Sequence, residues 1–129
     1  MAKYCLKRDE ARRWMPPLHT DSLDWMLIDR HSFPEAKYMY LVYCEMEPGG
    51  CAQKHVHTRG HEQGLYILEG KAKVQVNDES FEAGPETVVF VPEEAEHEIK
   101  AMGKEKLKLL VWICPPLSSY EKGSISKEE

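Results

Sequence analysis

The sequence predicts an all-β fold, a double-sheet jelly roll or small barrel in one domain. Apolar and polar residues alternate with a period near two over most of the chain, which puts alternate side chains on one face of a strand. Turn residues interrupt the alternation about every 8 to 12 residues, the spacing of short antiparallel strands. No stretch carries the i, i+3, i+4 apolar pattern of a long amphipathic helix.

Residues 1–23 are a polar lead-in. Pro16-Pro17 prevents a helix from running through it, so it reads as an arm or a short edge strand. Strands are expected over 25–29, 38–46, 54–58, 64–69, 71–76, 80–82, 87–91, 97–101 and 106–114. The run Lys71-Ala72-Lys73-Val74-Gln75-Val76 alternates cleanly, as a strand with one buried face does. Turns fall at Pro48-Gly49-Gly50, Glu69-Gly70, Asn77-Asp78, Ala83-Gly84-Pro85, Pro92 and Met102-Gly103-Lys104. The barrel is expected over 24–116. The tail over 117–129 is polar and is expected to be disordered at its end. An immunoglobulin-like sandwich would want a Cys…Trp…Cys pattern, which the chain lacks.

At 129 residues and 42% hydrophobic content the chain can bury a core without staples. A net charge of −5 with scattered basic residues argues against a nucleic-acid partner. No apolar run approaches the roughly 20 residues of a bilayer-spanning helix. The start is charged and has no apolar stretch after it, so no signal peptide is expected. Cys5, Cys44, Cys51 and Cys114 form no CxxC pair and are expected to be free thiols in the cytoplasm.

The chemistry concentrates between Gly49 and Gly70. There the chain carries His55-Val56-His57, then His61, Glu62 and Gln63, with His97 further on. Two histidines at i and i+2 on an extended chain face the same side, so one ion can receive both imidazoles. Imidazole suits Zn, Fe, Ni and Cu, whereas carboxylate or amide oxygen suits harder ions such as Mn. His19 and His31 lie outside this stretch and read as surface or hydrogen-bonded residues, although an arm could bring one to a barrel mouth.

These residues resemble the motifs of the cupins, a superfamily of small β-barrels. The first cupin motif is Gly, five residues, HxH, a short gap, Glu, six residues and Gly; here Gly49, His55, His57 and Gly70 match it. The second runs from a Gly to Pro-x-Gly-x-x-His and then Asn; here Gly84, Pro92 and His97 match, while Glu94 and Ala101 stand where Gly and Asn are usual. The resemblance covers residues 49–101. It implies a cupin-type double-stranded β-helix, a jelly-roll barrel, with an N-terminal arm. It also implies one divalent transition-metal ion per chain (Zn, Mn, Fe or Ni) held by His55, His57, His97 and a residue after the HxH pair. Leaving six residues before Gly70 gives Gln63, and leaving a four-residue gap after His57 gives Glu62. Strand parity puts Gln63 with Leu65 and Ile67, so Gln63 is favoured as the inward residue and Glu62 is held in reserve. His61 shares that parity and makes HxHx3H, a spacing similar to that of some four-histidine cupins.

Three histidines and a glutamine form a neutral ligand set, which leaves a bound ion more electrophilic than a set with Glu would. The expected function is therefore a metalloenzyme of isomerase, lyase or dioxygenase type acting on a small oxygen-rich substrate. Glu62 or His61 is its expected proton-transfer group. The competing expectation is a sensor that holds a small molecule without turning it over. A homodimer is expected in either case, because exposed strand edges need cover.

Overall fold

A computed structural model describes residues 3–57 and 59–116. A single 3-10 turn, Arg8–Glu10, precedes the strands β1 (Arg12–Trp14), β2 (His19–Ile28), β3 (Tyr40–His55), β4 (Glu62–Glu69), β5 (Lys71–Val76), β6 (Glu79–Ala83), β7 (Val88–Val91), β8 (His97–Met102) and β9 (Leu107–Cys114). They form one curled antiparallel sheet in the order β6-β5-β8-β3-β9-β4-β7, with β2 also on β3 and β1 on β2. This is the expected all-β jelly-roll barrel. None of the described helices is long and apolar enough to cross a membrane.

Alternation decides which side chains enter the barrel. Ala72 and Val74 of β5, Val89 and Val91 of β7, and Leu107 and Leu109 of β9 are buried in one cluster, while Val88 and Phe90 point outward. Each fully buried Leu, Ile or Val contributes about 1.5–3 kcal/mol. A second cluster of Met26, Tyr40, Val42 and Ile113 fills the space between β2, β3 and β9.

The strand expected over 25–29 begins earlier, at His19, so residues 19–23 continue β2 rather than the lead-in. Part of the lead-in is itself strand: Arg12–Trp14 pairs with Asp24–Met26. The Arg12 guanidinium meets the fully buried Asp29 carboxylate at 3.2 Å, and the Ser32 N–H donates to the same group at 2.9 Å. This pairing ties β1 to the end of β2.

The strands expected over 38–46 and 54–58 are one strand. Pro48-Gly49-Gly50 bends β3 instead of ending it, with Gly49 at φ +82°. The first half of β3 pairs with β9 and the second half with β8, so one strand serves both walls of the barrel. Gly50 is required there because a Cβ would lie 2.6 Å from the Asp21 carbonyl of β2. β3 ends at His55, two residues before His57. The expected tail over 117–129 lies outside the described residues.

Gly70, between β4 and β5, has φ +86°, and a Cβ on it would meet the Lys106 carbonyl oxygen at 2.5 Å. Gly70→Ala is expected to lower stability by about 2–3 kcal/mol, from left-handed strain and a clash with backbone that cannot swing aside. Gly103→Ala, at φ +76° with nothing within 4 Å, should cost only the strain, about 1 kcal/mol. Urea midpoints of the two variants check the order.

Candidate metal centre

Pairing between β3 and β8 sets His55 directly opposite His97. Val56 then turns outward and is 44% exposed, and His57 returns inward and is buried. Gln63, near the start of β4, lies between Val91 of β7 and Ile113 of β9. Leu65 and Ile67 follow it on the inward face.

The three imidazoles converge. Ring centroids are 4.2 Å apart for His55 and His97, 4.9 Å for His55 and His57, and 5.0 Å for His57 and His97. One ligand atom from each lies within 4.8 Å of the other two. The outer hydrogen bonds fix two tautomers. His55 Nδ1 donates to the Gln53 carbonyl at 2.6 Å, and His97 Nδ1 donates to the Ala95 carbonyl at 3.0 Å. A carbonyl can only accept, so each Nε2 keeps a lone pair.

His97 Nε2 is buried and has no hydrogen-bond partner among the described residues. Leaving such an acceptor unmet costs about 1–3 kcal/mol, and an ion would remove that cost. His57 Nε2 lies 2.9 Å from Gln63 Oε1. Without an ion the imidazole N–H donates to the amide oxygen. Two adjacent ligand atoms, each about 2.1 Å from an ion, also stand about 3 Å apart. The residues present therefore fit a metal ion.

Charge states agree. Burial pushes His97 down to about 3, helped by His55, His57 and His19 nearby, with the Ala95 carbonyl opposing. Burial also lowers His55, against the opposing Gln53 hydrogen bond. Both imidazoles are neutral near pH 7, the form that ligates metal.

The histidines open into a cavity of about 40 Å³ inside the barrel. One water needs about 10–15 Å³ on this measure, so the space suits a small molecule. Gln63 lines it with His55, His57 and His97. His61 and Glu62 do not: His61 Nδ1 donates to the Pro115 carbonyl at 2.8 Å, and Glu62 is exposed opposite Cys114. His31 is exposed near the end of β2.

Three polar residues of the cavity wall escape a sequence reading. His19, expected as a surface or hydrogen-bonded residue that an arm could bring to a barrel mouth, lines the cavity and meets Ser22 Oγ at 3.2 Å through Nδ1. Burial, with His55 and His57 nearby, lowers it to about 4. Asp24 and Cys44 stand side by side in register on β2 and β3, both buried. Burial pushes Asp24 up to about 7, against the Cys44 hydrogen bond. The one signal was an Asp at a position that shares parity with Ser22 and Met26. Leu23 and Trp25 obscured it by making the opposite face look like the inner one.

The chain matches the cupin domain family over residues 42–114. It is 27% identical to L-ectoine synthase of Vibrio cholerae over 70 residues, which are 54% of this chain and 50% of that one. It is also 27% identical to the tetracenomycin polyketide synthase protein TcmJ of Streptomyces glaucescens over 89 residues, 69% of this chain and 59% of that one. The matched regions span about half the length of the curated relatives. Among solved structures, a predicted oxalate decarboxylase from Thermotoga maritima superposes with a TM-score of 0.74 at 19% identity, covering 87% of this chain and 99% of that one. That likeness concerns the fold.

Proposed function

The chain belongs to the cupin domain family, and from that premise we propose that it is a metalloenzyme acting on a small oxygen-bearing substrate. One divalent transition-metal ion (Zn, Mn, Fe or Ni) would be held by His55, His57, His97 and Gln63. The observation that carries this reading is the convergence of three histidines on a cavity inside the barrel, with His97 Nε2 buried and unmet among the described residues. A sensor role is the alternative. Relatives named as a synthase and as a polyketide synthase protein favour catalysis.

The ion would supply Lewis acidity toward a substrate oxygen, in isomerase, lyase or dioxygenase chemistry. The chain's own residues do the rest. The Gln53 and Ala95 carbonyls orient His55 and His97. Before an ion binds, the Gln63 amide oxygen accepts from His57 Nε2–H and holds the two side chains together. Apolar walls, among them Leu65, Val91 and Leu109, keep bulk water out. Glu62 and His61 lie outside the wall, so proton transfer is assigned to Asp24. Its carboxyl lines the cavity, and in the metal-free protein burial raises it to about 7, in the range where one group serves as acid and base.

Metal content by elemental mass spectrometry, on protein purified without a histidine tag, tests the reading. About one equivalent per chain is expected; none after reconstitution with Zn, Mn, Fe or Ni would overturn it.

The protein would work as a homodimer. Val88 and Phe90 on the terminal strand β7 are 62% and 58% exposed, and pairing would cover them. Light scattering should give twice the chain mass, and Phe90→Lys should shift it toward the monomer. The four unpaired thiols suit a reducing compartment such as the cytoplasm.

A further inference from the structure

Asp24 sits in the same cavity with work still unassigned to half of its carboxyl. The side chain is 3% exposed, and its Oδ1 has no hydrogen-bond partner among the described residues. The rest of its surroundings run in one direction. His19 Nδ1 meets Ser22 Oγ at 3.2 Å, and Ser22 Oγ meets Cys44 Sγ at 3.4 Å. The Cys44 thiol in turn bonds the Asp24 carboxyl. Burial holds that thiol well above its ordinary range, so it stays protonated and donates. Asp24 is therefore the terminal acceptor of a polar row, and among the described residues no donor reaches its second oxygen.

The charge of the wall limits what can fill that place. Among the described residues lining the cavity there is no Lys or Arg, and Glu98 is a second acid. A ligand's carboxylate or phosphate has no cationic side chain to meet there, only the ion among the histidines. The walls between are apolar. A ligand satisfies both ends if it carries an oxygen for the ion and a hydrogen-bond donor for the carboxyl.

Resting on the metal reading above, we propose that Asp24 is the second anchor of this cavity: Oδ1 accepts a hydrogen bond from a hydroxyl or ammonium group of a small ligand whose other end lies against His55, His57 and His97. The site thus selects small hydroxy or amino acids over their apolar isosteres.

The test uses the full chain loaded with cobalt(II), whose visible absorption reports its ligand environment. The spectrum is titrated with 3-hydroxypropionate, β-alanine and butyrate, which share a carboxylate and chain length and differ only at the far end. A hydrogen bond to a charged group is worth about 1.5–3 kcal/mol, so wild type should bind a donor-bearing acid at least about tenfold tighter than butyrate. In Asp24→Leu the three acids should fall within about threefold of one another. Asp24→Asn keeps an acceptor but loses the charge. It should therefore retain a preference for 3-hydroxypropionate if the native donor is a hydroxyl, and lose the preference for β-alanine if it is an ammonium. Equal binding of the three acids by wild type, or a preference that survives Asp24→Leu, overturns the proposal while leaving the metal reading standing. A wild type that takes up neither cobalt nor, on reconstitution, Zn, Mn, Fe or Ni overturns both. The wild-type comparison needs no variant to fold.

Discussion

His97→Ala is expected to purify with less than about a tenth of the wild-type metal, the largest loss from any single change in the site. His97 is buried, its tautomer is set by the Ala95 carbonyl, and its Nε2 has no partner among the described residues. Residues that only support a ligand already cost about 10–100-fold in affinity when removed, and a ligand so placed should cost at least the upper end of that range. Gln63→Ala should cost less, because a neutral amide oxygen is the weakest donor of the set and its loss leaves three imidazoles in place. Gln63→Glu should bind the ion more tightly than wild type, since a carboxylate adds charge to a neutral set. It should also lower turnover by making the ion less electrophilic. Elemental analysis after dialysis against a graded chelator series checks the order. Stoichiometric metal in His97→Ala would refute the assignment.

What the sequence disclosed and what it hid have separate physical causes. His55 and His97 were legible because two motifs in the right order imply one strand pairing, which β3 and β8 make. Gln63 was placed by parity, and parity is reliable within one short strand that has a buried face, as β4 has with Leu65 and Ile67. His57 was expected beside His55 on a strand. It reaches the cavity instead from the loop beyond β3, with Gln63 holding it. The continuity of β3 was hidden because Pro48-Gly49-Gly50 has turn composition. Its partners keep the chain extended through it: β9 on one side of the bend, β8 on the other, and β2 along both.

The polar wall was hidden for a further reason. β2 carries half-buried apolar residues on its outer face: Trp25 packs on Tyr43 at 5.4 Å between ring centroids, and the Arg8 guanidinium lies over both rings. With apolar residues on both faces, alternation cannot say which one turns inward. Ser22 and Asp24 occupy the inner one, and His19 lines the cavity from the start of the same strand.

Asp24→Asn should stabilise the metal-free protein at pH 8 relative to its effect at pH 4. The ordinary Asp value is 3.8, and burial in the fold raises Asp24 to about 7. Between those values the native state holds a proton that the unfolded chain has released. Stability contributed by this group is therefore full below about pH 4, falls as pH rises, and is lost above about pH 7. Keeping the carboxylate charged inside the barrel then costs on the order of 4 kcal/mol, which an uncharged Asn never incurs. The Asn amide brings its own burial cost, about 1–3 kcal/mol, but that cost is the same at every pH. His19 and His97, lowered to about 4 and about 3, act in the opposite sense. Their stability is lost as pH falls below about 6.5, and they are present in both proteins, so they cancel in the difference. Urea unfolding of wild type and variant in chelator should thus show a gap that swings by several kcal/mol toward the variant from pH 4 to pH 8. A divalent charge in the same cavity favours the carboxylate, so metal loading should shrink that swing. A gap independent of pH would mean that Asp24 is charged at no cost in the folded protein, and with it would go the assignment of Asp24 as a group that exchanges a proton near pH 7.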